Sequence, residues 1–431
     1  MLKDKPYKVF LRYVIPSILG LLAVSSASII DGYFVGNYVG SLGLATINIA
    51  FPIFSILFGV GIMFAVGCSV MASNLLGEKN IHEALNIFSK AIISITIFSI
   101  ISCSFVYFNI ENILYFLNIE NELKYNTSMY LSIMLMFLPF FMVAMVLDYF
   151  VRIDENPNLS FLAFISCAVI NIILDYIFIV KLGYGLEGAA WATGISYAII
   201  IFILIPHFFR KKAVLKFIKP IGSFKIIFIA LKNGISEFIN ESSAGITVMI
   251  FNFLMIKYLG TNGLAAYTIV TYFIIFSIML SFGISDGLQA ILSKHYGAKE
   301  FTRIKTFLKL GFSTVIGFSS ILILIVLIKP EYLVDIFLDD NSIQTKQITI
   351  EFLKYTWIAF LFVGLNIFIT SYLTSIQRPV ASIIISISRS LILPIFFVSV
   401  LSFYFGLTGV YIALPFSEVL TFFIALYFFR K

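Results

Sequence analysis

Long apolar runs, interrupted by short polar stretches, recur from one end of this chain to the other. Twelve of them stand out, over residues 10–34, 45–76, 87–108, 127–151, 159–181, 185–209, 225–258, 264–294, 306–328, 347–374, 379–403 and 408–429. Each is long enough to cross a hydrocarbon layer about 30 Å thick as a helix rising ~1.5 Å per residue. A helix satisfies its own backbone hydrogen bonds in lipid, and the two-residue alternation of barrel strands is absent. The pattern therefore predicts an all-α polytopic membrane protein with twelve transmembrane helices. Pro16, Pro52, Pro139, Pro394 and Pro415 fall inside the runs and are candidate kinks.

The polar stretches fall into two alternating sets. One holds Lys3, Lys5, Lys8 and Arg12, then Lys79, Arg152, the group Arg210, Lys211, Lys212, Lys216 and Lys219, then Lys294, Lys299, Arg303 and Lys305, Arg378, and Arg430 with Lys431. The other holds only Lys124, Lys181, Lys257, Lys329 and Lys346, with the acids Glu111, Glu120, Glu122, Glu331, Asp335, Asp339 and Asp340. Lys and Arg favour the cytoplasmic side, so both termini are expected there, in a cell membrane. The first run is too long for a cleavable signal, and no small-residue cleavage site closes it.

The longest basic stretch, 210–224, lies at the middle of the chain, and the two sides of it repeat. Tyr38-Val-Gly-Ser-Leu-Gly-Leu-Ala45 matches Tyr258-Leu-Gly-Thr-Asn-Gly-Leu-Ala265 at a shift of 220. The same shift pairs Gly67 with Gly287, Ser73 with Ser293, Gly77 with Gly297 and Lys79 with Lys299. Pro157 pairs with Pro379, and Gly188 with Gly409, at shifts of 222 and 221. This predicts two pseudo-symmetric six-helix lobes, 1–209 and 225–431, joined by a cytoplasmic connector, 210–224. Six is even, so the lobes share one orientation, with a pathway expected between them.

Composition removes the soluble alternatives. Of 431 residues, 60% are hydrophobic and 12% charged, where a soluble domain carries about 25% charge. The net charge of +7 sits in loops between spans, so it does not point to nucleic acid. Cys68, Cys103 and Cys167 lie in apolar runs and read as small buried hydrophobes. His82, His207 and His295 show no metal-binding spacing, and neither a phosphate-cradling loop nor a nucleophile elbow is present. No enzyme chemistry and no resident cofactor are expected.

What the chain does carry is acid at membrane depth, where a carboxylate costs roughly 2.5–3.5 kcal/mol and usually faces a protein interior or an aqueous cavity. Asp31 lies a turn or two before the outer end of the first span, and Asp175 a similar distance before the outer end of the fifth. Thr193 lies about two turns into the sixth span, and Asn171 is four residues before Asp175 on one helix face. The four fit one layer of the N-terminal lobe. Two neighbouring carboxylates in a partly dry site repel, which suits a bound proton, or a cation when both ionise. Asn and Thr oxygens could complete the shell of a hard cation such as Na⁺. The plain alternative is that Asp31 caps a helix or meets interfacial water.

In the second half, Glu241 is flanked by Asn240, Ser242 and Ser243, with Glu237 one turn earlier. With Glu237 and Asn366 it forms a candidate cation or substrate site of the second half, or else it is a structural partner of Arg389. Asp148 and Arg152 read as a local pair four residues apart, Asp286 as an interfacial charge, and Glu418 as an acid without an evident partner.

Taken together, the order and spacing of several segments resemble the multidrug and toxic compound extrusion (MATE) family, in particular its DinF-like and MepA-like branch. They are Pro16 before Asp31-Gly-Tyr-Phe-Val-Gly36, Asn48 with Pro52, Arg152-Ile-Asp-Glu-Asn-Pro157, Asn171-Ile-Ile-Leu-Asp175, Gly234-Ile-Ser-Glu-Phe-Ile-Asn-Glu241 and Gly297-Ala-Lys299. The resemblance covers essentially the whole chain. It implies a monomeric exporter of amphipathic, often cationic small molecules, driven by H⁺ or Na⁺. It casts Asp31, Asn171, Asp175 and Thr193 as the N-lobe cation site, Pro16 as the hinge of a bending first helix and Glu241 as an acid of the C-lobe. Sodium-coupled members of another branch carry an acid in the tenth span, where this chain has only Asn366, so coupling through the N-lobe is favoured. A flippase for lipid-linked precursors is the rival within the wider superfamily, but it would call for a cationic cavity.

Overall fold

The computed structural model describes residues 1–117, 119, 121–335 and 343–431, so the outer-loop acids Glu120, Asp339 and Asp340, and the side chain of Glu122, lie outside the described residues. Every regular element among the described residues is helical. In the first half these are α1 (Pro6–Phe34), α2 (Ser41–Gly77), α3 (Ile81–Phe108), the short α4 (Ile110–Phe116), α5 (Asn121–Ile153), α6 (Pro157–Asp175) and α7 (Gly185–Leu204). The second half has α8 (Lys225–Gly297), α9 (Phe301–Ile328), α10 (Pro330–Asp335), α11 (Ile343–Thr356), α12 (Ala359–Ser375), α13 (Pro379–Ile387) and α14 (Leu393–Arg430).

Two crossings each are held by α8 and by the continuous helical stretch Pro379–Arg430 that contains α13 and α14. Gly260 interrupts α8 with φ 62° and ψ −147°, and Gly406 interrupts α14 with φ 58° and ψ −131°. The chain folds back at both points. Phe251 and Tyr267 stack with ring centroids 5.4 Å apart, where sixteen residues of straight helix would separate them by ~24 Å. Phe397 and Phe416 are 5.9 Å apart, against ~28 Å for a straight helix. Among the described residues nine helices are long and apolar enough to cross a membrane, and α11 with α12 forms one more, bent, span. The two reversals bring the crossings to the twelve expected. This is a multi-pass membrane protein.

One span departs from expectation. The run 347–374 is not a single straight helix, because α11 and α12 meet at 51°. No Pro or Gly marks the break, so hydropathy alone gives no sign of it. Just past it, the Phe360 carbonyl accepts hydrogen bonds from Ser319 at 3.1 Å and Ser277 at 3.5 Å, the kind of side-chain help that makes a helix break tolerable at membrane depth. Pro16, Pro52, Pro139 and Pro415 lie inside continuous helices, and Pro394 falls in the first turn of α14.

The sequence repeat reappears in the backbone. Gly40 (φ 94°) and Gly260 (φ 62°) are 220 residues apart, and Gly185 (φ 55°) and Gly406 (φ 58°) are 221 apart. Four non-glycine residues also have positive φ, and they form two pairs at the spacings of the repeat: Lys79 with Lys299, and Glu155 with Gln377. Each closes a helix in the same way. Its own N–H returns to a carbonyl three residues back, as in Lys79 to Leu76, and the next N–H reaches five back, as in Asn80 to Leu75. That is a Schellman stop, usually built on Gly.

The halves meet along a seam near the face that holds residue 1. A Cβ added at Gly67 would lie 2.3 Å from the Ala230 carbonyl oxygen, and one at Gly234 would lie 2.1 Å from that of Met63. Nearer the end, a Cβ at Gly77 would lie 2.2 Å from the Lys294 oxygen, and one at Gly297 1.9 Å from that of Asn74. On the other side of the seam, Gly283 and Gly287 press on the backbone of Ile18 and of Tyr13 and Val14. In the opposite halves of the same helices, Gly32, Gly245 and Gly260 have nothing within 4 Å of an added Cβ. We predict that Gly297→Ala lowers the thermal unfolding midpoint in detergent, by overpacking worth about 1–3 kcal/mol. Gly245→Ala should be neutral or slightly stabilising, since Ala is the better helix former. Equal effects of the two would contradict the seam.

Candidate functional site: acids inside the helical bundle

Asp175 is the last residue of α6 and the residue from which a π-helical turn, Tyr176–Lys181, starts. Asp31 lies four residues before a second such turn, Val35–Val39, which follows α1 and ends at Gly40. π-helical turns are rare and cluster at functional sites, because the extra residue redirects a helix face. Here they sit at the outer ends of two packed helices, and Gly20 lets α1 approach α6 beside Phe164.

The two carboxyls lie within hydrogen-bonding reach of each other. Asp175 is fully buried and Asp31 partly so. Oδ1 of Asp31 and both oxygens of Asp175 are buried without a hydrogen-bond donor. Two carboxylates can only accept, so neither satisfies the other unless a proton or a cation comes between them. Asn171, on the Asp175 face of α6, donates through Nδ2 to Thr193 Oγ1 of α7 at 3.3 Å. The structure thus brings Asp31 to Asp175 and Asn171 to Thr193, on adjoining helices.

Sequence reasoning missed the wall beside them. Tyr130 of α5 and Tyr197 of α7 lie within electrostatic reach of Asp31. Tyr197 stacks on Phe141 at 4.1 Å, Phe141 meets Phe58 at 5.1 Å, and Phe54 meets Tyr130 at 6.2 Å. Aromatic faces suit flat apolar molecules and cations. With 48 Phe and 22 Tyr in the chain, nothing in sequence singles these out.

The acids of the second half group differently from expectation. Arg389 pairs with Glu418, Nε to Oε1 at 3.2 Å, and not with Glu241. Asn366 donates to Glu418 Oε2 at 2.8 Å and to its carbonyl at 2.9 Å. Asn366 therefore serves Glu418, the acid that had no evident partner. Glu237 accepts from Asn240 at 3.4 Å and lies within electrostatic reach of Arg389, Glu241 and Asp286. A third π-helical turn, Ser388–Ile392, carries Arg389.

Asp148 and Arg152 do pair directly. Arg152 also donates from Nε to Ser160 at 3.0 Å and has Nη1 3.9 Å from Asp286 Oδ2. Asp286 is thus no free interfacial charge. It joins α8 to α5 and is 16% exposed. Eight residues further along α8, Lys294 Nζ donates to Glu155 Oε1 at 2.8 Å, again linking the two halves of the chain. No group of three or more potential metal ligands occurs among the described residues, and the site of Asp31 and Asp175 offers only two acids.

The comparisons with known proteins agree with this architecture. The family model described as MatE matches residues 16–177 and 235–400, once in each half. The chain belongs to the MATE family of membrane transporters. It is 28% identical to the multidrug export protein MepA of Staphylococcus haemolyticus, over 98% of this chain and 92% of that protein. MepA of Staphylococcus saprophyticus is 26% identical over 97% and 92%. Among solved structures, a ligand complex of the MATE multidrug transporter DinF-BH superposes with a TM-score of 0.89 at 26% identity, covering 98% of this chain and 95% of that one. An outward-facing MATE family multidrug resistance transporter gives a TM-score of 0.92 at 20% identity, over 100% and 96%.

The Arg389–Glu418 pair carries a stability prediction. Arg389→Leu leaves a buried carboxylate unpaired and should destabilise by about 3–5 kcal/mol, whereas Arg389→Leu with Glu418→Leu should recover most of the loss. Thermal unfolding of both variants checks this, and a double variant worse than the single would contradict it.

Proposed function

We propose that this chain is a secondary active exporter. It moves amphipathic, mostly cationic small molecules out of the cell in exchange for H⁺ or Na⁺, by alternating access between the lobes 1–209 and 225–431 about the connector 210–224. The observation that carries this reading is the facing pair Asp31 and Asp175, buried without a donor between them. A proton shared by the carboxyls removes their repulsion. Na⁺ would do the same, with Asn171 and Thr193 oxygens at hand. Occupancy by the ion then favours one lobe arrangement and occupancy by substrate the other, and linkage makes the coupling reciprocal. Glu237 and Glu241 extend the acidic character of the interior into the second lobe, where Arg389 is already neutralised by Glu418. That sign of charge suits cationic cargo and disfavours an anionic lipid-linked precursor. The relatives named as multidrug export proteins and the solved multidrug transporter DinF-BH support export of small molecules.

The excess of Lys and Arg on that side supports cytoplasmic termini, and on that reading the glycine seam and the Arg152–Asp286 and Lys294–Glu155 links lie on the cytoplasmic side. Pro16 lies in α1 beside the part of that helix packed on Gly283 and Gly287 and fifteen residues before Asp31. Its missing N–H removes one hydrogen bond of the helix, so the outer part of α1 can bend while the inner part stays fixed. That is the hinge role assigned to it.

The test is dye efflux from proteoliposomes with a pH gradient or a Na⁺ gradient imposed separately. Wild-type protein should respond to one of them, and Asp31→Asn should fall to the level of protein-free liposomes while keeping its thermal unfolding midpoint. Undiminished gradient-driven efflux by Asp31→Asn would overturn the reading, as would wild-type efflux indifferent to both gradients.

A further inference from the structure

The connector 210–224 is more than a tether with a topological charge signal. It leaves the apolar helix ending at Phe209 and enters the next at Lys225. Between Arg210 and Lys219 it carries five basic residues, Arg210, Lys211, Lys212, Lys216 and Lys219, and from 208 to 224 it has no acid. All five are exposed, and none is paired with a carboxylate among the described residues.

Its backbone is nonetheless fixed. Asp154 Oδ1 accepts from the N–H groups of Val214 and Leu215, both at 3.0 Å. Ser89 Oγ accepts from Ile218 at 2.9 Å and Asn86 Oδ1 from Ile221 at 3.0 Å. Lys90, a lysine only 2% exposed, donates to the carbonyls of Ile221 at 2.6 Å and Ser223 at 2.9 Å. Ala213 and Leu215 are buried beneath the strap, which turns Val214 and Lys216 outward. Phe217 rests on Phe88 at 4.8 Å and on Phe209 at 5.5 Å, so the chain between the rings of Phe209 and Phe217 is a closed loop with Lys211 and Lys212 in it. The nearby acids are engaged elsewhere: Asp154 with the strap and His207, and Glu83 with Asn86.

A loop that only set topology would need its charge, not this anchoring. Nor would a purely water-facing strap present Phe209 at 72%, Phe217 at 36% and Phe224 at 41% exposure among its lysines. Interleaved aromatic and basic side chains at the end of crossing helices match the boundary of a bilayer, where rings sit at headgroup level and cations meet phosphates. We propose that the connector is a preformed docking surface for the headgroups of anionic phospholipids, with the phosphates held by Lys211, Lys212, Lys216 and Lys219 and the rings seated among the upper acyl chains. Because the strap is already ordered, little freedom is lost on binding. This holds whichever ion drives transport and whatever is carried.

The experiment uses full-length protein in a neutral detergent, titrated with phosphatidylglycerol, phosphatidylcholine or inorganic phosphate. Bound lipid is counted by native mass spectrometry, and the thermal unfolding midpoint is read in parallel. The wild type should retain phosphatidylglycerol and rise in midpoint with it, with no such response to phosphatidylcholine or phosphate. The variant K211Q/K212Q/K216Q/K219Q should bind phosphatidylglycerol at least about tenfold more weakly, since each such base contributes appreciably to attraction by an anionic surface. A control that removes four exposed bases elsewhere, K3Q/K5Q/K8Q/K299Q, should keep wild-type binding. Equal loss in the control would show attraction to net charge alone and overturn the proposal. Unchanged binding by the connector variant would do the same, and so would an equal response to inorganic phosphate. The substituted side chains are exposed, and recovery of binding by K211R/K212R/K216R/K219R separates loss of charge from loss of fold.

Discussion

Two aspartates that, when ionised, can only accept hydrogen bonds face each other inside this bundle, with Asp31 Oδ1 and both oxygens of Asp175 lacking a donor. That is the constraint around which the first half is arranged. An unsatisfied carboxylate at membrane depth is expensive, so a proton or cation that completes the pair would stabilise it. The local backbone is unusual in the same places. α1 and α6 both loosen into π-helical turns at or just beyond the acids, where regular helices would have continued. Asn171 and Thr193 bond to each other on the adjoining helices α6 and α7, and Tyr130 and Tyr197 lie within electrostatic reach of Asp31.

A second arrangement relates the two halves across the seam. Gly77 and Gly297 occupy equivalent positions in the two repeats, and they touch each other's surroundings across the seam. Gly67 meets Gly234, while its repeat mate Gly287 meets Val14, which is the mate of Gly234. Contacts that map onto one another when the halves are exchanged are the mark of a two-fold relation. The seam is built largely on close backbone approach, with side-chain hydrogen bonds from Ser73 to the Ala290 carbonyl and from Asn74 to that of Ser375 across it. The charges that cross it, Arg152 with Asp286 and Lys294 with Glu155, are few and lie near the same face. A proposed hinge at Pro16 lies where α1 leaves this seam on its way to Asp31.

Much of this was legible in the sequence because bilayer physics writes in long, one-dimensional patterns. Twelve apolar runs gave twelve crossings, and the match at a shift of 220 gave equivalent left-handed residues at Gly40 and Gly260 and at Lys79 and Lys299. Asn171 and Thr193 could be placed together by counting turns, since both sit at known distances from one loop. What counting could not reach was the bearing of side chains across packed helices. Glu418 found Arg389 and Asn366, Asp286 found Arg152, and Tyr197 was chosen from many tyrosines, all through the way three or more helices are turned about their axes. The bend between α11 and α12 was hidden for another reason. Serines of α8 and α9 donate to a carbonyl beside the break, and no Pro or Gly stands at the bend to announce it.

The most direct measurement is the binding of a cationic dye to purified protein over a range of pH and of Na⁺ concentration, in the wild type and in Asp31→Asn with Asp175→Asn. If these two carboxyls hold the coupling ion, dye affinity in the wild type weakens as that ion is raised, and the double variant binds dye with an affinity independent of both ions. An ion dependence that survives intact in the double variant would contradict the assignment of coupling to Asp31 and Asp175.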